Sequence, residues 1–215
     1  MKWQSPLEKL NPQTKICKIC FKDISENTLY SLLHRDVDVC NNCFLEIKPI
    51  FKHFEVNGYD ALTIYNYDEK IQSLLYQFKG CFDIELAKIF IERYSREISL
   101  RYFNYILVPI PSYEGDDIIR EFNHVEEMFK ILKLPMLKTI KKTKKIKQAN
   151  STSVQRQNIK QFLELVEGFN LFGKRVLLVD DVYTTGSTMK ACISLIEKLR
   201  PKTIKILVMS KTEMK

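Results

Sequence analysis

Residues 176–188 read Val-Leu-Leu-Val-Asp-Asp-Val-Tyr-Thr-Thr-Gly-Ser-Thr, and this run restricts the fold more than any other in the chain. Four apolar residues in a row predict a strand buried on both faces, the habit of parallel sheets. Two carboxylates follow, then a hydroxyl-rich turn, then a helix marked by Met189, Cys192, Ile193, Ile196 and Leu199. Open parallel sheets bind ligands beyond the carboxyl ends of their strands. The turn Thr184, Thr185, Gly186, Ser187, Thr188 can offer successive backbone N–H groups and its hydroxyls to a phosphate, and Gly186 permits a positive φ and close approach. The helix starting near Ser187 adds its positive end. Asp180 and Asp181, acceptors only when ionised, suit the two hydroxyls of a ribose. Their mutual repulsion would be relieved by a nearby Mg2+. The run lacks the Gly-Lys-Ser/Thr ending of a Walker A loop. The bland alternative is an ordinary strand-to-helix turn with a double-Asp cap.

The rest of residues 56–215 carries alternating strand and helix signals. Tyr59–Tyr67 is β-rich, with Ala61, Thr63, Tyr65 and Tyr67 on one face. Ile71, Leu74, Leu75 and Phe78 recur at helical spacing up to Gly80. A helix is expected over 84–96, a strand at Ile106–Val108, and a helical stripe through Ile118, Phe122, Val125, Phe129 and Leu132. A last strand is expected at Ile204–Met209. This alternation predicts an α/β domain with a parallel sheet covered on both faces. Cys192 and Cys81 are expected to pack in the core. Trp3, His34, His53 and His124 read as structural or surface groups.

Residues 1–55 differ in texture and hold Cys17-x2-Cys20 and Cys40-x2-Cys43, with residues 21–39 between the pairs. Two such knuckles can place four thiolates around one tetrahedral ion, and four thiolates leave no open position, so a structural Zn2+ is predicted. A module this small buries little core, so the metal would supply folding energy. No apolar run approaches the ~18–20 residues of a membrane span, and residues 1–14 lack the apolar stretch of a secretory leader. A cytoplasmic setting with reduced thiols is therefore expected. The net charge of +8 suits an anionic partner. Lys138, Lys141, Lys142, Lys144, Lys145 and Lys147 form either a solvated loop or a phosphate-contacting surface.

Val179–Thr188 resembles the phosphoribosyl-pyrophosphate signature of type I phosphoribosyltransferases. With the four-cysteine module, the chain is similar to ComF-family competence proteins. The similarity extends to Phe78-Lys79-Gly80, Val108-Pro109-Ile110-Pro111, Arg120-Glu121-Phe122-Asn123, and Gln148 with Arg156-Gln157-Asn158. The resemblance implies a type I phosphoribosyltransferase-like domain behind a zinc-finger module. It implies that Asp180 and Asp181 hold ribose hydroxyls and that Thr184, Thr185, Gly186, Ser187 and Thr188 hold the 5-phosphate. Pro111 and Ser112 would lie in the pyrophosphate loop. Lys79, Arg120, Lys145, Lys147 and Arg156 would supply positive charge, and residues 138–155 would match a flexible loop that closes over the site. Mg2+ would accompany phosphoribosyl pyrophosphate. The family has Gly where this chain has Glu121, and basic residues where it has Glu114, Asp116 and Asp117.

The resemblance also implies a role in DNA uptake and transformation, with single-stranded DNA and a helicase-like competence protein as partners. Tyr102, Phe103 and Tyr105 could stack bases, although such residues more often build a core. The alternative is an active phosphoribosyltransferase of nucleotide salvage acting on a base, through an oxocarbenium-like transition state without a covalent protein nucleophile.

Overall fold

The computed structural model describes residues 15–24, 38–143 and 162–213. The chain forms two compact units, Met1–Lys48 and Pro49–Lys215. The division precedes the sequence boundary at 55 because Lys52–Val56 is a strand of the second unit, paired antiparallel with Tyr59–Asn66. Asn57 and Gly58 join these two strands with positive φ at both positions (51° and 81°), the geometry of a tight hairpin turn.

In the first unit, the Cys17 amide donates to the Lys22 carbonyl at 2.8 Å and the Phe21 amide to the Cys17 carbonyl at 2.8 Å. This closes a knuckle that ends at Phe21 in the left-handed region (φ 58°). Helix α1, Asn41–Glu46, follows the second cysteine pair and buries Cys43 and Phe44.

The second unit is built on a five-stranded sheet in the order β1-β2-β7-β6-β3. Its strands are β1 Lys52–Val56, β2 Tyr59–Asn66, β3 Tyr105–Pro109, β6 Arg175–Tyr183 and β7 Thr203–Lys211. Every pairing except β1–β2 is parallel. Val176–Val179 of β6 have no exposed surface, as a central parallel strand requires. The β2 segment is buried on both faces from Ala61 to Tyr65, so Leu62 and Ile64 join the core that alternation had reserved for Ala61, Thr63 and Tyr65. Tyr67 lies beyond the strand.

The helices are α2 Glu69–Gly80, α3 Ser95–Arg101, α4 Glu114–Arg120, α5 His124–Lys130 and α6 Ser187–Glu197. Helix α2 starts where Asp68 accepts from the Ile71 amide at 2.9 Å, and it buries the expected Ile71, Leu74, Leu75 and Phe78. The expected helix over 84–96 is instead two 3-10 turns, Ile84–Phe90 and Glu92–Tyr94, leading into α3. Burying Leu86, Ala87, Phe90 and Ile91 together outweighs local α preference there. The expected stripe 118–132 breaks into α4 and α5. Glu121 ends α4 with φ 66°, and Asn123 caps α5 by accepting from the Glu126 amide at 3.0 Å. Ile118 is consequently 70% exposed rather than in the core. Cys81, expected to pack, is exposed, whereas Cys192 is buried in α6. A separate ribbon pairs β4, Ile140–Lys142, with β5, Leu163–Leu165, so the first part of the expected loop is ordered strand. No helix among the described residues is long and apolar enough to cross a membrane.

Candidate functional site

Strand β6 continues through the acid pair to Tyr183, where Tyr183 still pairs with Lys211 of β7. Asp180 and Asp181 are thus strand residues, and successive strand side chains point to opposite faces. Asp180 shares parity with Val176 and Leu178, which pack in one cluster with Met189, Cys192, Ile193 and Ile196 of α6. Asp181 turns to the face where α2 and α5 deliver Lys79 and His124. The turn begins at Thr184. Gly186 has φ 72°, and a Cβ there would overlap the Tyr183 hydroxyl. Thr184 and Thr185 are exposed, and the Thr185 and Ser187 hydroxyls lie 3.1 Å apart. The first-turn amides of Ser187, Thr188 and Met189 have no intrahelical acceptor, because α6 closes its first bond at Lys190, whose amide donates to the Gly186 carbonyl at 2.8 Å. Hydroxyls, amides and a helix start thus converge at the carboxyl end of a central strand.

Asp181 is the hub of the polar network beside this turn. Lys79 Nζ donates to its Oδ2, and His124 Nε2 lies 3.5 Å from the same oxygen. His124 Nδ1 faces Arg120 Nη1 at 3.1 Å. A guanidinium only donates, so Nδ1 accepts and the imidazole carries its proton on Nε2, toward Asp181. Burial, opposed by the Asp181 charge, lowers the His124 pKa, in keeping with a neutral ring. Burial would raise the Asp181 carboxyl, but Lys79 and His124 outweigh it and hold the group well below the usual range. Asp180 shifts the other way. Burial and the charge of Asp181 push it well above that range. The pair therefore presents one ionised carboxylate and one that favours its neutral form.

The chain of contacts continues through Arg120. Its Nε donates to the Lys79 carbonyl at 3.3 Å and its Nη1 to Asp117 Oδ1 at 3.1 Å. Phe122 stacks on Phe78 with centroids 5.4 Å apart, tying the Arg120–Asn123 segment to α2. Pro111 and Ser112 follow β3, and Ser112 donates to Asp117.

The four cysteines of the first unit meet. Their sulfurs all lie within 4.8 Å of one another, with Cys20 and Cys40 Sγ 3.7 Å apart. Four thiolates around zinc at ~2.3 Å would sit ~3.8 Å apart, so the donor set and spacing fit that ion. Burial raises the thiol of Cys43 and that of Cys40. At Cys17 the same penalty is overcome by backbone donors, including the Cys40 amide at 3.3 Å, and its pKa falls to about 7. Four neighbouring thiolates need a cation to ionise together.

The phosphoribosyl transferase domain family matches residues 117–212. The competence protein ComFC of Streptococcus pneumoniae is 25% identical over 199 residues, which cover 91% of this chain and 87% of that protein. Competence protein F of Haemophilus influenzae is 32% identical over 108 residues, 46% of this chain and 47% of that protein. With the four-cysteine cluster, these matches support a ComF-family protein. Among solved structures, a hypoxanthine phosphoribosyltransferase from Staphylococcus aureus superposes at TM-score 0.40 and 12% identity, over 60% of this chain and 73% of that one.

In this chain, the structure gathers Asp181, Lys79 and Arg120 into one network with His124, places Ser112 on the Asp117 side of it with Pro111 before it, and sets Asp180 on the opposite face of β6. Arg156, Lys144, Lys145 and Lys147 lie outside the described residues. Of the other lysines in the cluster, Lys138 pairs with Glu126 at 2.6 Å and Lys141 with Glu164 at 3.3 Å. His124 is the site residue that sequence reasoning passed over. Its signal was available: it follows Asn123 directly, at the start of a helix whose cap belongs to the Arg120–Asn123 motif. Tyr102 and Tyr105 are buried, whereas Phe103 is 67% exposed.

Proposed function

We propose that the domain over 49–215 binds a ribose 5-phosphate group, with phosphoribosyl pyrophosphate and Mg2+ as the ligand, and that the chain serves DNA uptake in competence. The observation that carries this reading is the turn Thr184–Thr188, with its hydroxyls, its left-handed Gly186 and the start of α6, set against the acid pair. The turn would hold the 5-phosphate. Ionised Asp181 would accept from a ribose hydroxyl, and Asp180 in its neutral form could donate as well as accept. Lys79, released from Asp181 by the sugar, would be free to meet a phosphate oxygen. Among the described residues the clustered metal donors are the four cysteines. Mg2+ would thus arrive on phosphate oxygens rather than in a carboxylate cage, which is its usual habit. The four thiolates would hold zinc as a structural ion.

Both curated relatives are named competence proteins, which supports the DNA-uptake role. The +8 charge favours single-stranded DNA as a partner. Exposed Phe103 offers one surface aromatic for stacking. The family match to a phosphoribosyl transferase domain favours the second reading, transfer of the phosphoribosyl group to a base. Calorimetry with phosphoribosyl pyrophosphate and Mg2+ separates binding from its absence. Thr185→Val with Ser187→Ala is expected to weaken binding by about tenfold or more, the worth of hydrogen bonds to a charged group. Unchanged affinity removes the proposed phosphate turn.

A further inference from the structure

Both oxygens of Asp181 are occupied. Oδ1 accepts from the Val182 amide at 2.8 Å. Oδ2 accepts from Lys79 Nζ, and His124 Nε2 stands 3.5 Å from the same atom. A sugar hydroxyl that reaches this carboxylate must displace a donor, and the two side chains on Oδ2 are not equally free to leave. The Lys79 side chain is 32% exposed and carries its charge on a flexible four-carbon stem. The His124 side chain is 9% exposed and is held from behind. Arg120 donates to its Nδ1 at 3.1 Å, and Arg120 is itself fixed by Asp117 at 3.1 Å and by the Lys79 carbonyl at 3.3 Å. Asn123 caps the same helix start and donates to Ser112 Oγ at 2.9 Å. Lys79 can therefore swing away, whereas His124 stays.

Once Lys79 leaves, the Asp181 side chain, 8% exposed, keeps its charge only if another donor takes the vacated place. At 3.5 Å the imidazole N–H makes a long contact, and such hydrogen bonds often tighten only in the complex. In the free protein a third donor adds little to a carboxylate that already has an ammonium and an amide, so its placement is explained by the liganded state. We propose that His124 is a positioning residue: it keeps Asp181 aimed at a ribose hydroxyl when the ligand draws Lys79 away. The ring acts as a neutral donor. Among the described residues the charged groups that face it are Asp181 from β6, Lys79 from α2 and Arg120 from α4, and a second proton, on Nδ1, would point at the Arg120 guanidinium. The proposal rests on the ribose-phosphate reading above and deepens it by giving the two donors on Oδ2 different tasks.

Calorimetry with phosphoribosyl pyrophosphate and Mg2+ on the full zinc-loaded chain tests this through three variants. His124→Gln sets an amide N–H2 where the imidazole carries Nε2, His124→Asn supplies only a group near Nδ1 for Arg120, and His124→Phe supplies neither. Phe and Asn are each expected to weaken binding by about tenfold, the worth of a hydrogen bond to a charged group, and Gln to stay within about threefold of the wild type. Unchanged affinity in His124→Phe, a His124→Gln as weak as His124→Phe, or a His124→Asn as good as His124→Gln overturns the proposal and leaves the ribose-phosphate reading standing. A wild type that does not bind the ligand overturns both. Nitrogen-15 spectra of the wild type at pH 7 need no variant, so misfolding of a variant would not shield the proposal. His124 is expected to be neutral and protonated on Nε2 both free and with ligand, and an imidazolium or an Nδ1-protonated ring in the complex overturns it.

Discussion

Glu121 shows how one side chain can sit against the geometry of its own segment. It closes α4 in the left-handed region, with φ 66° and ψ 5°, where a β-carbon crowds the backbone. Glycine adopts that conformation without penalty. The resemblance to Arg-Gly-Phe-Asn places a glycine at this position, and the backbone supplies the reason. The Glu121 side chain is exposed, so it contributes little packing to set against the strain. Glu121→Gly is expected to stabilise the second unit by about 1 kcal/mol, the left-handed penalty less the entropy cost of glycine. Urea unfolding measures it. A loss of stability would mean that the glutamate makes a contact worth more than the strain it carries.

Single elements carried much of the readable information, because their signals are local. Val176–Thr188 is contiguous, so the strand, the acid pair and the turn could be read in order, and the four-cysteine spacing is equally local. The α/β class with a mostly parallel sheet followed from the apolar runs. What was not legible depended on tertiary burial. The stripe through Ile118 and Phe122 has helical spacing, yet the chain turns at Glu121 and sends Ile118 to solvent. The β1 strand, with Lys52, His53 and Glu55 in the run Lys-His-Phe-Glu-Val, has too few apolar residues to announce itself before its partner is known. His124 meets Asp181 only because α5 packs beside β6. The turn itself is held from the end of its own strand. The Tyr183 ring packs where a Cβ on Gly186 would have to go, and that ring is braced edge-on by Phe54 at 4.9 Å. Gly186→Ala is therefore expected to cost about 2 kcal/mol or more, from the left-handed φ and the overlap together. In a Tyr183→Ala background the same substitution is expected to cost only the backbone part, about 1 kcal/mol. Equal costs in the two backgrounds, measured by urea unfolding, would show that Tyr183 does not hold the turn.

At the scale of the molecule, the two units draw stability from different sources. The second has a sheet whose central strand is shielded from water and helices with buried faces, enough to form a cooperative core. In the first, the buried apolar side chains among the described residues are Ile24, Val39, Phe44 and Ile47 beside the thiols of Cys17 and Cys43, while Ile16, Phe21 and Leu45 remain exposed. Contacts among the described residues alone cannot offset the entropy of ordering the knuckles. A structural zinc in comparable peptides contributes about 10–16 kcal/mol at neutral pH, which can. The raised thiols of Cys40 and Cys43 point the same way, because without a cation the cluster cannot ionise fully and its sulfur-centred geometry loses its purpose. Chelation of the purified protein should therefore unfold residues 15–24 and 38–48 while β6 and β7 keep their protection. Hydrogen exchange resolved by peptide reads both at once, and Cys20→Ser should reproduce the chelated pattern without chelator. If metal analysis finds the zinc gone and the knuckle amides, such as those of Cys17 and Phe21, still exchange slowly, the four cysteines are not what holds this unit together.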